Sequence, residues 1–257
     1  MPDLFLRIAQ ISDTHISRYG QFVEKMFNVA AREINRLKPA PDVVVHSGDL
    51  TDIGVLADYE LAVEKMKLLK AEIVIAPGNH DERNYGQSLF KEIIGPMDYE
   101  VKVGKAIVFI SNSPQPDRDD GRLGRRRQDY LEEKLRALPS DTIKILVFHH
   151  HLVPVPYSGR EANVLEDAGD ILEMVLEHKI NFVLMGHRHV TRVMRINDTV
   201  LVNAGTTSSS RTRGRLGHSF NLVDIFEDGA IEVTERNLTQ RRTIPIAKYR
   251  PPCPTWN

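Results

Sequence analysis

Five short polar clusters each follow an apolar run in this chain: Asp13-Thr14-His15, Gly48-Asp49, Gly78-Asn79-His80-Asp81, His149-His150-His151 and Gly186-His187-Arg188-His189. They contain seven of the ten histidines. Imidazole, carboxylate and amide oxygen are the donors that bind borderline-hard divalent or trivalent metals, and loops at strand ends are where a rigid scaffold aims several donors at one point. These residue types in this arrangement predict metal-dependent hydrolysis.

Taken singly, an Asp-x-His or a His-x-His is more often a solvated loop than a ligand pair; five such clusters together at strand ends reverse that reading. Asp13 and His15, spaced i, i+2, are expected on one face of an extended segment, and His187 with His189 repeats the spacing. Asp49 follows a glycine and has two oxygens, enough to bridge two ions about 3.5–4 Å apart. Asn79 adds a neutral oxygen, so two acidic ligands leave an ion pair positive and favour an anionic substrate, as a phosphate ester is. His80 points away from Asn79 in an extended segment and is suited to protonating a leaving group, with Asp81 or Asp52 as tautomer-fixing partner or simple turn cap. Within the triplet, alternation puts His149 and His151 on one face and His150 on the other, and spacing does not choose between them. His46, inside a strand, and His178, at a helix end, read as structural. His218 has no motif around it.

The elements that must position these clusters are legible as periodicity. Short, nearly continuous apolar runs at Leu4–Ile11, Val43–His46, Ile73–Ala76, Ala106–Ile110, Ile143–Phe148 and Phe182–Met185 fit strands buried on both faces. Segments of helical period lie between them, around Phe22–Leu37, Tyr59–Leu69, Leu131–Leu138 and Ile171–Leu176. This alternation predicts βαβ units around a largely parallel sheet. After Gly186, the runs Val190–Ile196, Thr199–Asn203, Ser219–Phe226 and Ala230–Arg236 are separated only by turn signals and predict an antiparallel meander. Two stacked sheets with helices outside, in one domain over residues 1–244, is the expected architecture. The Pro-rich tail over 245–257 is free to pack on the body, to pack on a second subunit in a homo-oligomer, or to remain mobile.

At 257 residues and 41% hydrophobic content, the chain can bury a sizeable core. A formal net charge of −1 gives little general attraction for nucleic acid, which is not expected as a partner. Two local basic patches, Arg122 with Arg125–Arg127 and Arg211 with Arg213 and Arg215, read as a solvated helix start and a solvated loop. The single Cys253 excludes an internal disulfide framework and a Cys-based zinc site. No apolar run approaches the roughly 18 residues of a membrane span, and Met1–Ile11, broken by Asp3 and Arg7, is too short for a secretory signal. A cytoplasmic location is expected.

The order Asp-x-His, Gly-Asp, Gly-Asn-His-Asp, His and Gly-His-x-His, spanning Asp13 to His189, resembles the calcineurin-like metallophosphoesterase superfamily. Gly48-Asp49-Leu50-Thr51-Asp52-Ile53-Gly54, and the His-rich segment before Pro154, look closest to its class III cyclic nucleotide phosphodiesterases and glycerophosphodiesterase relatives. The resemblance implies an α/β fold, a four-layered α/β/β/α sandwich of two mixed sheets flanked by helices. It implies Asp13, His15, Asp49 and His189 around one metal and Asp49, Asn79, His187 and a triplet histidine around the other. Related sequences use the first histidine after the strand, which points to His149 ahead of His150. The two ions would be Fe, Mn, Zn or Co. The implied reaction is in-line attack by a metal-bound hydroxide on a small phosphodiester, with Asp49 and His80 as the catalytic residues. A broad-specificity phosphomonoesterase and a nuclease are the enzymatic alternatives. A lipid-linked pyrophosphatase would want an apolar membrane-facing stretch, for which the Pro-rich tail is the one candidate. A metal-free scaffold is the non-enzymatic alternative, opposed by a suitable donor at every ligand position. Asn203-Ala204-Gly205-Thr206 resembles a family element that closes the site from below.

Overall fold

A computed structural model describes residues 3–159, 163–213 and 217–250. In chain order the elements are β1 (Leu4–Ile11), α1 (Glu24–Arg36), β2 (Val43–Ser47), α2 (Leu56–Met66), β3 (Ile73–Ala76) and α3 (Gly86–Leu89), which runs into a π-turn at Phe90–Ile94. There follow β4 (Tyr99–Val103), β5 (Ala106–Ile110), α4 (Arg125–Arg136), β6 (Ile143–Val147), α5 (Ala168–Glu177) and β7 (Phe182–Met185). The chain then has only strands: β8 (Arg192–Ile196), β9 (Thr199–Asn203), β10 (Ser219–Phe226), β11 (Ile231–Asn237) and β12 (Arg242–Tyr249).

The strands form two six-stranded sheets, ordered β12-β11-β10-β1-β2-β3 and β4-β5-β6-β7-β9-β8. Each is mixed: β1, β2 and β3 run parallel while β10–β12 add antiparallel, and β5, β6, β7 and β9 run parallel between antiparallel edges. The expected meander is thus divided. β8 and β9 join the second sheet, whereas β10–β12 cross to the first, because β10 pairs along nearly the whole of β1 from Leu4↔Phe226 to Gln10↔Asn221.

Side-chain alternation explains the layers. Ile8, Val43, Val45 and Val74 of the first sheet meet Val108, Ile145, Val147 and Leu184 of the second in a dry inter-sheet core. The intervening residues Ala9, Ile11 and Val44 face outward onto Phe27, Ala30 and Ile34 of α1 and Ala62 and Met66 of α2. On the far side, Leu146, Phe148 and Val183 pack on Leu131 and Leu135 of α4 and Ile171 and Val175 of α5. Both faces of the central strands are covered, which is why their sequences read as unbroken apolar runs.

The boundary expected at 244/245 falls inside β12, which continues to Tyr249. Pro245 is accommodated because β12 is an edge strand, and its pairing with β11 shifts register between Val233 and Thr234, opposite Ala247 and Pro245. Pro251, Pro252, Cys253, Pro254 and Trp256 lie outside the described residues. Among those described, no helix is long and apolar enough to cross a membrane.

Candidate metal centre

Five parallel strands, three from one sheet and two from the other, end at a common rim. Asp13 and His15 follow β1, Asp49 follows β2, Asn79 and His80 follow β3, His149 follows β6, and His187 and His189 follow β7. The carboxyl ends of parallel strands are where α/β folds gather functional groups.

Local backbone geometry turns these side chains inward, and it differs from the extended segments expected for Asp13–His15 and His187–His189. Asp13 (φ 50°), His15 (φ 49°), Asp49 (φ 55°), His187 (φ 78°) and His189 (φ 55°) are all left-handed. Each such non-glycine residue costs about 1–3 kcal/mol and persists only where its surroundings hold it. Backbone bonds from Asp13 N to Gly48 O (2.9 Å) and from His15 N to Asp49 O (3.1 Å) lock two of these loops together. Thr206 Oγ1 donates to Asp13 O (2.7 Å) and Ser208 Oγ to Thr14 O (2.9 Å), so the segment after Asn203 braces the Asp13–His15 loop. Gly48 (φ +99°) is required here, since a Cβ at that position would overlap the His149 ring.

The side chains converge. Asp49 Oδ2 lies 3.3 Å from His149 Nε2 and 3.6 Å from His15 Nε2, and Asp13 Oδ1 lies 3.3 Å from His189 Nε2. His187 Nδ1 stands 3.0 Å from Asn79 Oδ1. Of the triplet, His149 faces Asp49. Both nitrogens of His150 are engaged elsewhere, with Ser113 Oγ (2.9 Å) and Asp119 O (3.2 Å), and His151 Nε2 donates to Gly186 O (2.9 Å).

Tautomers follow from the partners, because a carbonyl oxygen can only accept. His149 Nδ1 donates to Ser47 O (2.8 Å) and His189 Nδ1 to Arg211 O (2.5 Å), while His15 Nδ1 donates to the Asp52 carboxylate (3.1 Å). Their Nε2 atoms therefore turn unprotonated lone pairs toward the centre when neutral. His15 Nε2 and His189 Nε2 face each other at 3.2 Å. Asp13 Oδ1, His149 Nε2 and His187 Nε2 are buried without a hydrogen-bond partner among the described residues. Facing lone pairs and orphaned buried donors are costly unless a cation lies between them, so this donor set fits metal ions.

The protein's own charges hold a carboxylate and an imidazolium against each other at the centre, so a metal ion there would take the place of the His149 Nε2 proton. Burial opposes ionisation of Asp49, yet the surrounding His149, His80 and His15 hold its carboxyl well below the usual range. Burial likewise opposes charge on His149, but Asp49 and Asp13 overcome it and raise the imidazole to about 9. Burial and neighbouring histidines push His187 well below its usual value, and burial lowers His46 to about 3. His46 is structural: Nε2 meets Thr14 Oγ1 at 2.9 Å, and Nδ1 accepts from Gly48 N at 3.2 Å. His178 caps the carboxyl end of α5, and His218 is held between Thr239 Oγ1 and Ser209 O.

His80 borders the centre, with a nitrogen grouped near those of His15 and the oxygens of Asp49. Its backbone N–H donates to Asp49 Oδ1 (2.8 Å) and its Nδ1 to the Asp52 carbonyl (2.5 Å), leaving Nε2 for the cleft. The tautomer-fixing group is thus the Asp52 main chain. The Asp52 carboxylate orients His15, and buried Asp81 binds Leu50 N, Thr51 N and Gly78 N, bracing two of the loops.

The cleft over the centre has a volume of about 450 Å³ and is bordered by Arg83, Asp119, Arg188, Arg211 and Arg213. Arg211 and Arg213 lie in a loop, Arg211 exposed as expected, and that loop also borders the cleft; Arg215 lies outside the described residues. At the other basic patch, Arg127 pairs with Asp98 (2.9 Å) and Arg125 with Asp129 (3.7 Å) at the start of α4. Sequence reading missed Asp119, whose Oδ1 accepts from Asn79 Nδ2 (3.1 Å) and thereby turns the amide oxygen toward His187.

A family model described as calcineurin-like phosphoesterase matches residues 6–191. A probable glycerophosphodiester phosphodiesterase of Arcobacter nitrofigilis is 24% identical over 97% of this chain and 97% of its own length. A probable cyclic nucleotide phosphodiesterase of Synechococcus is 27% identical over 88% of this chain and 89% of its own. Among solved structures, a purple acid phosphatase from yellow lupin superposes with a TM-score of 0.77 at 13% identity, covering 97% of this chain and 54% of the lupin chain.

Proposed function

This chain belongs to the calcineurin-like phosphoesterase family, a family of metal-dependent phosphoester hydrolases, and from that premise we propose that it hydrolyses a small phosphodiester such as a cyclic nucleotide or glycerophosphodiester. The observation that carries this reading is the meeting of seven donors from five strand ends beneath a cleft of about 450 Å³. We assign Asp13, His15, Asp49 and His189 to one ion and Asp49, Asn79, His149 and His187 to the other, with Asp49 shared. Bound there, an ion pair of Fe, Mn, Zn or Co would supply positive charge for the phosphate oxygens and would make water a stronger acid.

The chain's own groups do the rest. Asp52, Ser47 O and Arg211 O fix the ligand imidazoles, and Asp119 fixes the Asn79 amide, so the ligands need not reorganise as charge develops. His80 presents Nε2 to the cleft; in its imidazolium form it keeps the Nδ1 proton on the Asp52 carbonyl and gives the Nε2 proton to the departing alkoxide oxygen, ending as the neutral Nδ1–H tautomer. Arg83, Arg188, Arg211 and Arg213 make the cleft mouth receptive to an anion. With one cysteine the chain has no internal disulfide, which is compatible with the cytoplasmic location we propose.

The cleft volume lies within the roughly 300–1,000 Å³ of small-molecule sites. The diesters for which the relatives are named favour a diesterase over a monoesterase. With manganese-loaded protein, bis(p-nitrophenyl) phosphate is expected to be turned over with at least roughly tenfold higher kcat/KM than p-nitrophenyl phosphate, about 1.4 kcal/mol of transition-state preference. A preference for the monoester would overturn the assignment.

A further inference from the structure

A second concavity, of about 690 Å³, lies between α1 and the β11–β12 hairpin. Lys25, Val29, Arg32 and Arg36 fall at i, i+4, i+7 and i+11 along α1 and form one stripe, and all four line the groove. The hairpin contributes Arg236, Arg241 and Arg242 from the opposite wall, and Met26, Val29 and Leu238 give it an apolar part. The one carboxylate in the lining, Glu33, is taken by Arg236 at 3.1 Å. Lys25, Arg32, Arg36, Arg241 and Arg242 make no ion pair with a carboxylate among the described residues.

Five exposed cations therefore line one groove on a chain whose net charge is only −1. Arg32 and Arg36, at i, i+4, repel directly. The arrangement is complementary to a compact polyanion, and the apolar lining adds a place for a flat, poorly hydrated group. We propose that this groove is a second, non-catalytic binding site for a nucleoside diphosphate or an organic polyphosphate of that type.

The groove stands back to back with the catalytic cleft. Val23, at the groove, donates its N–H to Ser208 O (2.7 Å), and the groove's His218 meets Ser209 O at 3.0 Å. Two residues on, Arg211 lines the cleft and accepts from His189. The segment from Ser208 to Arg211 thus touches both sites, bonding to the groove's Val23 and His218 and lining the cleft through Arg211.

The test is calorimetric titration of manganese-loaded protein with ADP, under saturating orthophosphate to occupy the catalytic phosphate site. ADP binding is expected to persist, to exceed that of pyrophosphate, and to weaken by roughly tenfold or more in the R32E/R241E variant, about one lost charge-assisted contact. Turnover of bis(p-nitrophenyl) phosphate by the variant should match the parent, which shows that it is folded. ADP binding abolished by orthophosphate, equalled by pyrophosphate, or undiminished in the folded variant would overturn the proposal. So would a change in molecular mass between parent and variant in light scattering, since the groove would then be a contact with a second copy.

Discussion

Replacing Asp49 with alanine is expected to strip the protein of metal and to lower kcat/KM by on the order of 10²–10³ or more, the cost of losing one preorganised electrostatic group in an active site. Asp49 Oδ2 stands 3.6 Å from His15 and 3.3 Å from His149, residues we assign to different ions, so its removal weakens both. Because Asp49 Oδ1 also accepts the His80 N–H at 2.8 Å, alanine disturbs the loop as well. Asp49→Asn separates the effects: its amide oxygen keeps the loop contact and the volume but loses the bridging charge. Metal content by mass spectrometry and turnover should fall together in both variants. A fully metallated, active Asp49→Asn protein would remove Asp49 from the bridging role.

Changing His80 to alanine should leave metal content intact while lowering kcat by about 10²–10⁴ on diesters with alkoxide leaving groups. The loss should be much smaller with p-nitrophenolate, which departs without a proton. This asymmetry follows from the geometry, in which Nδ1 is committed to the Asp52 carbonyl at 2.5 Å and only Nε2 remains for a leaving group. Equal losses on both leaving groups would exclude proton donation. Loss of metal would instead make His80 a ligand, a role its grouping with His15 and Asp49 permits.

The central strands were legible in the sequence because burial on both faces removes polar residues from them, as at Val43–Ser47 and Phe182–Met185. Two of the edge strands lack that mark. β4 alternates exposed and covered residues, and β12 carries Pro245 and several exposed positions, so neither stands out as an apolar run. Clustering of donors at strand ends likewise exposed the candidate site, but not how its loops turn. Left-handed Asp13 and His15 show no local signal, since they are held by bonds to Gly48, Asp49 and Thr206 from distant segments. The same distance hid Asp119, forty positions from the Asn79 amide it orients. The histidine triplet illustrates the limit: alternation groups His149 with His151, and only the packing of Ser113 and Asp119 against His150 and of Gly186 against His151 leaves His149 facing Asp49.

The shared-carboxylate, two-ion centre is tested most directly by anomalous diffraction at the manganese edge from crystals grown with that metal. Two peaks are expected, one against Asp13, His15 and His189 and the other against Asn79, His149 and His187, with Asp49 touching both. A single peak, or peaks that Asp49 does not join, would contradict it.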